Sequence, residues 1–185
     1  MNRYQKTFSE LKKEGKMAFV PFWMLGDPDQ AKSQEIIENL AQQADILELG
    51  IPFSDPLADG KVLQASASRA IEKGINVLKS FKIVQAVREK FPEKPIGLLV
   101  YLNLILQFGI DDFFSACRES GVDSVLIPEL PVEEVALVEA SAKENEIDLI
   151  FLVSTNTPAE RLDLILEKSG GFLYAISTPG ITGAK

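Results

Sequence analysis

Ala44-Asp-Ile-Leu-Glu-Leu-Gly-Ile-Pro-Phe-Ser-Asp-Pro-Leu-Ala-Asp-Gly60 decides how this chain is read. It begins as a short apolar strand with one carboxylate, Glu48, near its end, and runs straight into a turn-rich loop carrying Asp55 and Asp59. Strand parity puts Ile46 and Glu48 on one face, Leu47 and Leu49 on the other. If helices cover the leucine face, Glu48 points inward at the C-terminal end of the strand. Burying a lone acid is costly, and apolar surroundings raise its pKa toward neutrality, where one group both donates and accepts a proton. The competing reading is a partly solvated glutamate paired with a lysine.

The same strand-like signal recurs outward from this segment, alternating with helical periodicity. Strands are predicted over residues 17–22, 44–50, 95–101, 122–127, 147–153 and 171–177. Between them, Ile36, Ile37, Leu40 and Ala41 share a helical face, as do Val77, Phe81 and Val84. Further helices are predicted over 62–73, 76–91 and 110–120. Another opens on Thr157-Pro158-Ala159-Glu160, read as a capping box with proline at the first helical position. Strands apolar on both faces and separated by helices predict a parallel sheet covered by helices. The 44–52 and 122–129 segments echo one another, as repeated βα units of a (β/α)8 TIM barrel do. Six units are visible where a barrel has eight, so the expectation is one barrel domain over 1–185 that lacks units seven and eight. The alternative on counting alone is an open six-stranded sheet.

Composition narrows the function. The 185 residues carry a net charge of −8 with no basic stripe, which argues against nucleic acid. No apolar run approaches the roughly 20 residues that span a bilayer, so no membrane association is expected. The polar N-terminus lacks a signal-peptide core, which makes the cytoplasm the default location. Cys117 is the only cysteine and sits on a helical face with Phe113 and Phe114, as a buried hydrophobe does. With no histidine in the chain, a zinc site of the usual ligands is excluded, no metal is expected, and proton transfer near pH 7 falls to a carboxylate.

Asp55 in Ser-Asp-Pro and Asp59 in Ala-Asp-Gly occupy good turn sequences, and turn capping competes with a chemical role for both. In the chemical reading the loop folds back over the strand ends and brings one acid near Glu48; the spacing does not choose between them. Phe22, Leu99, Leu126, Leu152 and Tyr174 fall near strand C-terminal ends, where they line an apolar pocket for a flat ligand or simply fill the core. Gly180-Ile-Thr-Gly183 is either an ordinary turn or a loop that offers backbone N–H groups to an anion.

Phe19-Val-Pro-Phe22, Leu25-Gly-Asp-Pro28, the run from Leu47 to Gly60, Gly121-Val-Asp-Ser124 and Gly180-Ile-Thr-Gly-Ala184 together resemble the tryptophan synthase alpha chain family. The resemblance implies a (β/α)8 barrel and a carbon–carbon lyase that cleaves indole-3-glycerol phosphate to indole and glyceraldehyde 3-phosphate. It also implies an alpha2-beta2 tetramer with a tryptophan synthase beta chain; the pyridoxal phosphate belongs to that beta chain, and this chain needs no cofactor. Under the resemblance Glu48 is the acid/base that protonates the indole carbon, and Asp59 stabilises the positively charged indolenine. Phe22, Leu99, Tyr101, Leu126, Leu152, Tyr174 and Thr182 become substrate contacts, Thr182 also bracing Asp59, and Gly183 offers its N–H to the phosphate. Asp55 and Asn103 become residues of the partner interface.

The chain departs from the family pattern at Lys61, usually proline, at Met24, usually threonine or alanine, at Glu129, usually aspartate, and at Leu104, often proline. The second expectation is an incomplete, non-catalytic partner that binds and activates a beta chain.

Overall fold

A computed structural model describes residues 2–176. In chain order the helices are α1 (Arg3–Lys13), α2 (Gln30–Gln43), α3 (Lys61–Glu72), α4 (Val77–Lys90), α5 (Leu102–Phe108), α6 (Ile110–Ser120), α7 (Ala136–Glu144) and α8 (Ala159–Lys168). The strands are β1 (Phe22–Met24), β2 (Leu47–Gly50), β3 (Ile96–Leu99), β4 (Ser124–Leu126), β5 (Asp148–Ile150), β6 (Leu152–Ser154) and β7 (Tyr174–Ile176). The first five form one sheet in the order β1-β2-β3-β4-β5, every pair parallel, and β6 pairs with β7. Strand order that follows chain order without reversal means each right-handed crossover advances the same way, leaving the helices on one side. That is the wall of a (β/α) barrel rather than a doubly wound sheet, whose order reverses at a switch point.

The two faces of this wall are packed differently. Leu47, Leu49, Ile96, Leu98, Val125 and Leu149 face outward into a continuous core with Ile37 of α2, Val84 and Val87 of α4, and Phe113, Phe114 and Cys117 of α6. Fully burying each such side chain contributes about 1.5–3 kcal/mol. The inner face carries a second buried set, including Met24, Ile46, Leu126 and Ile150, separate from that core. At the N-terminal end of the wall α1 inserts Tyr4, whose hydroxyl lies 2.7 Å from Ser124 Oγ. Gly97 makes room for this plug, since a Cβ there would approach the Ser124 Oγ to 2.8 Å.

Three expectations need correction. The first strand is residues 22–24, not 17–22. Pro21 has no N–H to give a ladder, and the stretch before it is largely solvated, Met17 being 94% exposed. Residues 147–153 are two strands, because the chain changes partner at Phe151: β5 pairs with β4, whereas the Phe151 carbonyl already accepts from Tyr174 N at 3.0 Å. The 157–160 capping box does not form. Pro158 is itself the N-cap, with ψ of 150°, and Thr157 Oγ1 accepts from Ser154 N at 2.9 Å instead. Helices α1, α5 and α7 are additions; α1 carries a true capping box between Asn2 and Gln5. No helix among the described residues is long and apolar enough to cross a membrane.

Candidate functional site

Glu48 sits on the inner face of β2, in register with Phe22 of β1 and Gly97 of β3. It is 8% exposed, and burial pushes its carboxyl up to about 7. No cation partners it among the described residues. A carboxyl left half-protonated near neutrality by its surroundings alone is suited to both proton donation and proton uptake.

The inner positions above Glu48 are apolar. Gly50, Leu99, Leu126 and Ile150 are aligned across β2 to β5, and Leu152 is aligned with Tyr174 across the second sheet. Phe22 extends over Gly50, where a Cβ would come within 2.6 Å of the ring. Tyr174 is half-exposed, its hydroxyl held above its ordinary pKa by burial and by the charge of Glu48. Leu99 and Leu126 end β3 and β4 on the inner face, whereas Phe22, Leu152 and Tyr174 open β1, β6 and β7 instead of closing them, Phe22 lying in register with Glu48 and Leu152 with Tyr174.

The loop after β2 folds back over this end. Asp59 is 5% exposed, and burial raises its carboxyl, an effect partly offset by the Tyr101 hydroxyl as hydrogen-bond partner. Asp59 N donates to Pro56 O at 3.1 Å, closing the turn, and Gln64 Nε2 donates to Asp59 O at 2.8 Å. Ala58 N donates to the Tyr101 hydroxyl at 3.1 Å, and the Tyr101 ring stacks on Phe53 with centroids 5.1 Å apart. Tyr101, at the N-cap of α5, thus ties the loop to the end of β3; burial and the Asp59 charge both raise its own hydroxyl.

Burial distinguishes the two loop acids that spacing left open. Asp59 is inside, whereas Asp55 is exposed and accepts from Ser54 Oγ. Leu57 beside it is 92% exposed, and Asn103 is exposed on the first turn of α5. Two further polar groups belong to this end. Gln64 holds the Asp59 carbonyl, and Glu129 accepts from Leu102 N at 2.5 Å, its carboxyl raised by burial and by the Asp59 charge. Nothing in their local sequence marks either one, because each acts across a loop from another strand or helix. Thr182 and Gly183 lie outside the described residues.

The arrangement is a buried carboxyl of raised proton affinity on a strand, a second buried acid on the loop that follows it, and apolar residues on the same inner face. A family model described as tryptophan synthase alpha chain matches residues 8–185. The tryptophan synthase alpha chain of Methanocaldococcus jannaschii is 45% identical over 178 residues, covering 96% of this chain and 63% of that relative. That of Shewanella baltica strain OS155 is 48% identical over 182 residues, covering 98% of this chain and 67% of the relative. Among solved structures, tryptophan synthase subunit alpha from Legionella pneumophila str. Paris superposes with a TM-score of 0.92 at 36% identity, covering 96% and 68% of the two chains. A chain of the tryptophan synthase complex from Pyrococcus furiosus superposes with a TM-score of 0.81 at 38% identity, covering 85% and 65%. The chain thus spans about two thirds of the length of the relatives it matches.

Proposed function

This chain belongs to the tryptophan synthase alpha chain family, and from that premise we propose that it acts as a carbon–carbon lyase of tryptophan biosynthesis, cleaving indole-3-glycerol phosphate to indole and glyceraldehyde 3-phosphate. Glu48, in its protonated form, delivers a proton to the indole carbon at the scissile bond. The ring becomes an indolenine with positive charge on its nitrogen, which the Asp59 carboxylate stabilises. The bonding pair of the breaking carbon–carbon bond returns to the ring and discharges the indolenine nitrogen, while the side-chain hydroxyl gives its proton to the now ionised Glu48 carboxylate and its oxygen becomes the aldehyde of glyceraldehyde 3-phosphate. Phe22, Leu99, Leu126, Leu152 and Tyr174 flank the flat ring; Tyr101 holds the loop that presents Asp59.

The observation that carries this reading is Glu48 itself: a buried carboxyl with no cation beside it among the described residues, its pKa brought to about 7 by burial, on the inner face of a barrel strand. Asp55 and Asn103 face outward, as residues contacting a beta chain must. The pyridoxal phosphate of the overall synthesis belongs to that beta chain, and the assembly is an alpha2-beta2 tetramer. The test is indole release from indole-3-glycerol phosphate by the wild type and by Glu48→Gln. Loss of release in the variant supports the acid/base role, and retained release rejects it.

A further inference from the structure

Asp27 stands apart from the site just described, in the turn that follows β1, yet it is 5% exposed. Its carboxylate is satisfied entirely from α3. Arg69 Nε donates to Oδ1 and Arg69 NH2 to Oδ2, each at 2.7 Å, and Ser66 Oγ also donates to Oδ2. Burial works against this ionised carboxylate, but the Arg69 fork and Ser66 outweigh it and hold the group below its ordinary pKa.

The helix that supplies these donors begins two residues after Asp59. It starts at Lys61, with Gly60 as an N-cap that makes no side-chain hydrogen bond, and Gln64 in its first turns grips the Asp59 carbonyl. Apolar packing holds this helix weakly: its buried residues are Ser66, Ala67 and Ala70, while Val62 is exposed. On the other side, the Asp27 turn is fixed to the strand that carries Glu48. Leu25 N donates to Gly50 O at 2.8 Å, and Trp23 Nε1 donates to Asp27 O at 3.1 Å. A short chain of polar contacts therefore runs from the Glu48 strand through Asp27 to α3 and on to Asp59.

We propose that the Asp27–Ser66–Arg69 clamp sets the position of Asp59 relative to Glu48, making Asp27 a positioning residue that acts through α3. The proposal rests on the assignment of Glu48 and Asp59 made above. A helix seated on two alanines shifts readily once its polar anchor is lost, and a displacement of about 1 Å at a catalytic group costs on the order of a hundredfold.

The test is Asp27→Asn in the full chain, read in two ways: kinetics of indole release, and the 13C titration of the Asp59 carboxyl, assigned by its loss in Asp59→Asn. The expected result is a kcat lower by about tenfold to a hundredfold with KM changed by less than about threefold. The Asp59 midpoint falls toward the ordinary aspartate value as the loop rehydrates, while the midpoint of Glu129 stays in place. Arg69→Lys, which keeps the charge but loses the fork, gives the same pattern. In the Asp59→Asn background, Asp27→Asn has no further effect. A kcat within about twofold of wild type with an unmoved Asp59 midpoint overturns the clamp, as does a fully multiplicative loss in that background. Should Asp27→Asn fail to fold, Ser66→Ala carries the same two readouts. If the wild type itself releases no indole, the catalytic reading fails, and the Asp59 midpoint still decides the clamp.

Discussion

Asp123 and Glu48 are carboxylates of the same barrel wall, Asp123 immediately before the residue of β4 that lies in register with Glu48, both largely withdrawn from water, and their surroundings differ in one respect. Asp123, just before β4, accepts from Arg3 at 2.7 Å, from Arg88 at 2.8 Å and from Ile96 N at 2.8 Å. It joins α1, α4 and β3 through full ionic satisfaction. Glu48 has no such neighbour among the described residues, and burial raises its proton affinity. At Asp123 a charge holds elements together. At Glu48 an acid stands without a cation among the described residues, which costs stability and gives a group able to exchange protons at pH 7.

The sharpest way to break this contrast is to neutralise each acid in turn. Glu48→Gln should lower indole release by about 10²–10⁴-fold while the folded state is preserved, as steady-state assay and circular dichroism will show. Asp123→Asn should do the reverse. It leaves Arg88 buried against an uncharged group and costs roughly 3 kcal/mol of stability by urea unfolding, with the site itself intact.

Acid and base titration probe the same difference more gently. Folded Glu48 keeps its proton to about pH 7, whereas its ordinary value is 4.5. Between those values the folded chain binds more protons than the unfolded one, so Glu48 makes stability fall as pH rises from about 4.5 to 7 and then level off. Wild type measured against Glu48→Gln should lose up to about 3 kcal/mol over that interval; parallel stability curves for the two proteins would place Glu48 in water. The smallest effect belongs to Tyr101→Phe, which removes the acceptor for Ala58 N and a partner of Asp59. A loss of about 1 kcal/mol, read as a severalfold lower kcat, is expected, with stability little changed.

The parts legible in the sequence are those fixed by local periodicity. β2 with Glu48 inward and Leu47 and Leu49 outward followed from parity, as did the helical face of Phe113, Phe114 and Cys117. The illegible parts depend on partners distant in the chain. No pattern within residues 147–153 reveals that the strand pairs with β4 in its first half and β7 in its second. Thr157 reads as a cap until Ser154 N is seen to occupy its hydroxyl. The choice between Asp55 and Asp59 is one of burial, made by Tyr101 and Gln64 from outside the loop. Proline at 21 did hold the signal that the first strand starts late.

The Tyr4 plug has a consequence for the order in which the molecule assembles. The anchors of α1 come from much later in the chain, among them Pro92, Asp123, Ser124 and, through Asn2, Asp148. At ordinary rates of synthesis, on the order of ten seconds separate the emergence of this helix from that of its last anchor. The first element made is therefore among the last to be seated. Until then the nascent wall is open at its lower end, and closing that end is a late, long-range event in folding.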